Sequence, residues 1–181
     1  MSDFRKTLKE ATRQAHDRVD DGFSHFDISL KTDYCQFLQA QLLGHEAAHS
    51  LCAANTGPKA MTSRIQALKD DIAILGGAAL KPLPKPSSKA HPLGLTYVIA
   101  GSWHGTSVLR KAWSRSSDET VLAANNFMDA SALIAEWSEV LAIFKTQSFT
   151  SSETEKIVAS ANQTFAIFEQ GLKRVGAVAS E

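Results

Sequence analysis

An all-α fold, a single bundle of helices, is predicted by three observations. Apolar residues recur at three and four positions through long segments, strand signals are scarce, and Gly and Pro cluster between those segments. With 181 residues the chain has the size of one domain and can bury a core without staples, so residues 1–181 are read as one unit.

The first helix runs through Leu8–Asp20. At about 100° per residue, Phe4, Leu8, Ala15 and Val19 fall within a stripe of roughly 60°, the core-facing side. His16 lies just outside it. Lys9, Arg13 and Asp20 follow within roughly 60° of His16, so an imidazole, a carboxylate acceptor and two cations share one edge. That set suits a metal-containing, carboxylate-bearing ligand, although a histidine beside an apolar stripe also serves as an ordinary boundary residue.

A turn near Ser24 to Leu30 leads to Thr32-Asp33, a capped start, and to a second helix through about Asn55 carrying Phe37, Leu38, Leu42 and Leu51. Gly57-Pro58 breaks it. A third helix spans Thr62 to Leu75 and stops at Gly76-Gly77. Pro82, Pro84, Pro86 and Pro92 make Lys81 to Pro92 an extended connector. Helices follow at Leu93–Trp113, at Glu119 to about Thr146 with a bend near Asn125-Asn126, and at Ser152–Val175.

Composition narrows the function. Nineteen basic and nineteen acidic residues cancel, which argues against a broad nucleic-acid footprint or an anionic-membrane surface. Cys35 and Cys52 form no C-x-x-C pair and read as reduced core fillers. The start, Met1 to Lys6, is charged, and no run approaches about 18 apolar residues. A soluble, cytoplasmic protein is expected.

Two strings carry chemistry. His45-Glu46-Ala47-Ala48-His49 matches the zinc-peptidase pattern H-E-x-x-H, but no third ligand follows at a familiar spacing; the expected placement is a polar helix face with Glu46 solvated. The segment from Leu95 to Leu109 sets Gly101 and Gly105 four apart in a strongly apolar helix, where each glycine costs roughly 1 kcal/mol against alanine. Close approach of the backbone to a large flat ligand, or to another helix, explains that spacing equally well.

These residues resemble a family. LKEATRQAHDRVD, Leu8 to Asp20, is similar to the proximal helix of heme oxygenases, and YVIAGSWHGTSVL, from Tyr97, resembles their distal helix, near Y-V-L-E-G-S-x-L-G-G in bacterial members. Asp33 to Leu38, Ala67 to Gly76, and Ala161 to Phe165 with Phe168 resemble further family helices, so the likeness spans nearly the whole chain. It is nearest the bacterial biliverdin-producing group, some of which supply bacteriophytochromes. The resemblance implies a heme oxygenase-type bundle with heme as cofactor and substrate and O2 as co-substrate. A separate ferredoxin or flavoprotein reductase would supply electrons, and biliverdin, carbon monoxide and ferrous iron would result. It implies His16 as the iron ligand and Asp20 as its acceptor, with Lys9 and Arg13 near the propionates. Tyr97 belongs to the same distal motif; Gly101 and Gly105 would let the backbone approach the porphyrin, Ser102 would order water, and Phe165 would pack against the macrocycle.

Three departures stand out. Thr106 replaces the second glycine of the family's G-G, behind Trp103 and His104, so that His104 either tunes the distal hydrogen bonding, takes the sixth iron site or points away. Ser102 stands where animal members carry an aspartate. Ser138 and Ala142 stand where other members tend to carry propionate-binding Lys or Arg. The altered distal string keeps a noncatalytic heme-binding or sensing protein as the alternative. A thiaminase-like enzyme ranks behind it, since neither cysteine has a nucleophile setting.

Overall fold

A computed structural model describes residues 4–52 and 56–176; Met1–Asp3 and Asn55, on which parts of the reading above fall, lie outside them. The described residues form eight helices and no strand: α1 (Phe4–Ser24), α2 (Lys31–His49), α3 (Met61–Ile74), α4 (Pro92–Gly101), α5 (Trp103–Trp113), α6 (Glu119–Ala123), α7 (Ser131–Thr146) and α8 (Ser151–Arg174). None is long and apolar enough to cross a membrane. The predicted stripe of α1 faces inward, with Leu8, Ala15 and Val19 buried and Phe4 partly so.

The long α8 is the axis of the bundle and packs against α1, α2 and α4. Thr150 and Glu153 start it with a reciprocal capping box. Its neighbours come close because glycines permit it. A Cβ on Gly44 of α2 would overlap the Phe168 ring, one on Gly94 of α4 would overlap the Ile157 carbonyl oxygen, and one on Gly171 would stand 2.6 Å from the Ala40 carbonyl oxygen. Gly76, at φ 73°, closes α3 in the left-handed conformation that favours glycine.

Several sequence expectations require correction. Thr32-Asp33 does not cap α2: the helix begins at Lys31 with no side-chain cap, and the Asp33 carboxylate accepts the Asp27 amide at 3.0 Å instead. The expected Leu93–Trp113 helix is two helices meeting at Ser102. The expected bend near Asn125-Asn126 is a full break, because buried side chains from α2 and α3 capture the backbone there. Asp71 accepts from the amides of Asn126 (3.1 Å) and Phe127 (2.7 Å) and from Asn126 Nδ2 (2.8 Å). Arg64 donates to the Phe127 and Asp129 carbonyls, and Tyr34 donates to that of Ala124. Bonded this way, the break satisfies polar groups that would otherwise be costly to bury. It also starts α7 at Ser131, which carries Trp137 toward α4. Cys35 and Cys52 are half-buried rather than core residues, and burial raises both thiol pKa values.

The H-E-x-x-H string is split by the packing. His45 is buried rather than on a polar face, His49 is exposed, and Glu46 pairs with Lys69 at 2.8 Å. His45 Nδ1 meets the Gln41 carbonyl at 2.8 Å, and burial, reinforced by the Arg64 charge, lowers the imidazole pKa to about 3. Among the described residues no three His, Cys, Asp or Glu side chains gather as a metal site.

Candidate functional site

α1 presents His16 half-exposed (53%) at the border of its buried stripe. Its Nδ1 lies 3.4 Å from Asp20 Oδ2 and 3.6 Å from Asp17 Oδ1, so the carboxylates orient one ring nitrogen and leave Nε2 for a ligand. The buried Phe165 ring of α8 meets the imidazole edge-on at 5.7 Å and supports it from the core side. Arg13 pairs with Asp17 at 3.7 Å, while Lys9 is exposed.

The glycine segment divides as its composition requires. α4 is buried along Leu95, Val98, Ile99 and Ala100, whereas α5 buries Thr106 alone. Ser102 sits between them and returns its hydroxyl to the Ile99 carbonyl at 2.8 Å. Gly105 faces open space: a Cβ there would meet nothing within 4 Å. Gly101, one turn earlier, would place its Cβ 3.4 Å from Trp137 Cζ3. Thr106, at the position of the expected second glycine, is buried and gives its hydroxyl to the Ser102 carbonyl at 3.3 Å. His104 is exposed and stacks on Trp103 at 3.7 Å, with the Trp137 ring 6.3 Å away.

α1 and α4 meet at Tyr97. Burial raises the phenol pKa, and the Thr12 hydroxyl and the Arg5 charge moderate the shift. Thr12 lies one turn before His16 on α1, and Tyr97 one turn before Gly101 on α4. Tyr97 also packs against Trp137 and Phe144, at 5.6 and 6.2 Å between centroids. Two surface cavities, of about 390 and 380 Å³, lie near Lys59 and Phe149 and near Lys89 and Gln163; neither is lined by His16, Gly101 or Gly105.

Thr12, Trp137 and Arg5 are the site neighbours that sequence reasoning passed over. Arg5 was legible in principle, since it projects within about 20° of His16 on a helical wheel. Trp137 reaches the glycines only through tertiary packing.

No protein-family model and no curated protein sequence matches the chain. Among solved structures, it is similar to the NO- and CO-bound heme oxygenase of Neisseria meningitidis. The TM-score is 0.75 and the identity 19%, covering 100% of this chain and 96% of that one. The chain therefore has the single-domain, all-helical fold of that protein.

Proposed function

We propose that the protein is a heme oxygenase of the bacterial biliverdin-producing kind, in which His16 would hold the heme iron and the Gly101–Gly105 segment would line the heme pocket. The observation that carries this reading is an imidazole with one carboxylate-oriented nitrogen and one free nitrogen, in a fold shared with a heme oxygenase. The residues fit the group. Gly105 leaves an open surface for a flat macrocycle, and the donor set is one imidazole rather than a multi-ligand metal cage.

Bound there, heme is substrate and redox centre together, its iron and ring supplying the oxygen chemistry that ends in biliverdin, carbon monoxide and ferrous iron. The chain's own residues bind and orient. Asp20, its carboxylate 3.4 Å from Nδ1, would orient the His16 ring and leave Nε2 to hold the iron. Phe165 limits the tilt of that ring from the core side. Gly101 and Gly105 hold the distal backbone close without side-chain bulk, and the Ser102 hydroxyl, bonded to the Ile99 carbonyl, keeps its oxygen as an acceptor for ordered water. No protein nucleophile takes part. Electrons come from a separate ferredoxin or flavoprotein reductase, the compartment is the cytoplasm, and a bacteriophytochrome is a recipient of the product.

The test is a hemin titration of purified protein, followed by reductant or a ferredoxin system in air, beside a His16→Ala control. Loss of the Soret band with growth of biliverdin absorption, abolished in the control, is expected. The second reading, a heme-holding protein, draws on His104, whose exposed ring stacks on Trp103 one residue before Gly105 in the chain. A tight low-spin complex with a persistent Soret band, altered in His104→Ala, would favour it and refute turnover.

A further inference from the structure

The two surface cavities share His91 and differ in charge. The one near Phe149 has Glu136, Glu139 and Glu153 in its wall beside Lys59. The other, between the proline-rich connector and α8, is lined by Lys89 and Lys156 and by no carboxylate. In a chain whose formal charges cancel, that wall is a local excess of positive charge.

The fold leaves both of its cations without a counter-charge. Lys156 has no ion pair or hydrogen bond among the described residues. The carboxylate of Glu153, whose charge it feels, is occupied in capping α8, where it accepts from the Thr150 amide at 2.8 Å and hydroxyl at 2.7 Å. Lys89 donates to two neutral groups, the Ser50 and Cys52 carbonyls, each at 3.0 Å. Those bonds fix the ammonium without cancelling its charge, and a third N–H remains.

The hydroxyls between the cations have the same sense. The Ser88 oxygen accepts from Gln163 Nε2 at 3.1 Å, and the buried Ser160 oxygen accepts from the His91 amide at 2.8 Å. Each oxygen is thus already an acceptor within the protein and keeps a proton for which the described residues offer no acceptor. Donors from two segments far apart in the chain, 88–91 and 156–163, therefore converge on one space of about 380 Å³. That volume lies within the range of small-molecule sites.

We infer that this cavity binds a phosphate-type oxyanion, with Lys89 and Lys156 supplying charge and the Ser88 and Ser160 hydroxyls supplying directed donors. A tetrahedral anion accepts from several directions at once, and ammonium groups serve it as point charges. The site stands apart from the heme reading, since its wall contains none of His16, Gly101 and Gly105.

The experiment titrates inorganic phosphate, and separately glycerol 3-phosphate, into the wild type, Lys156→Gln and Lys156→Arg, with chloride holding the ionic strength constant. Amide chemical shifts are the readout. Saturable shifts confined to 88–91 and 156–163 are expected, with binding weakened about tenfold in Lys156→Gln and retained in Lys156→Arg. Tighter binding of the ester supports a small phosphorylated ligand, and equal binding supports the free ion. Lys156 is exposed, so the melting temperature and hemin titration of the Gln variant should match the wild type. Shifts that fail to saturate, that fall elsewhere, or that are unchanged in Lys156→Gln would overturn the site and leave the heme reading intact.

Discussion

Gly105→Ala separates the cost of a glycine to the fold from its use in the site. A Cβ at this position meets no atom within 4 Å and the residue is exposed in helix α5, so the methyl creates no clash in the free protein. Replacing a helical glycine by alanine recovers about 0.5–1 kcal/mol. For a chain of this length that corresponds to a rise of about 1–4 °C in melting temperature. A flat ligand seated over the glycine meets the same methyl as overpacking, which costs about 1–3 kcal/mol, or roughly 5- to 150-fold in affinity. The variant is therefore expected to melt higher without hemin and to bind hemin more weakly. Calorimetry of the free protein and an absorbance titration read the two effects separately. A lower melting temperature would refute the open space, and unchanged hemin affinity would refute Gly105 as a wall of the ligand site.

Three further perturbations test the scaffold. Gly94→Ala pushes a methyl into the Ile157 carbonyl and should destabilise the α4–α8 contact by about 1–3 kcal/mol, the opposite sign to Gly105→Ala, as denaturant titration will read. Asp71→Ala strands the buried amide of Phe127 and the amide of Asn126, and should cost about 3 kcal/mol, with the earliest gain in hydrogen exchange at 124–130. His45, with its folded pKa lowered from 6.5 to about 3, takes up a proton in the unfolded chain first. Its contribution is present above about pH 6.5 and is lost at about 1.4 kcal/mol per pH unit as the pH falls from there toward 3. Urea titrations at pH 7, 5 and 4 should show a shallower acid slope in His45→Gln, and an unchanged slope would contradict the assignment.

Most of the helices were legible because their apolar repeats are long and their ends are punctuated by Gly and Pro, as at Gly76 and Pro92. Those signals are local. The break at 124–130 was legible only as a bend near Asn125-Asn126, because its full extent depends on Tyr34, Arg64 and Asp71 from two other helices. The burial of His45 escaped for a similar reason: Gln41 and His49, one turn to either side, are polar, but Phe168 of α8 packs against its ring at 5.1 Å. At the site, the shared edge of His16 and Asp20 follows from helical spacing, and the structure brings the two within 3.4 Å. The wall around Gly101 involves Trp137, 36 residues on in the chain, and no spacing rule within one helix reaches that far.

The sparse burial of α5 has a consequence for how the molecule spends its time. The helix is tied at one end by Ser102 and the buried α4, and at the other by Trp113, whose indole donates to the Val121 carbonyl at 2.8 Å. Between these ties Thr106 is its sole buried side chain. A segment of this kind opens with a smaller free energy than the bundle around α8, so its middle amides exchange with solvent while both ends remain closed. In the free protein α5 is thus a span between two fixed supports, and a ligand seated beside Gly105, on the reading proposed above, would supply the packing that holds the span shut.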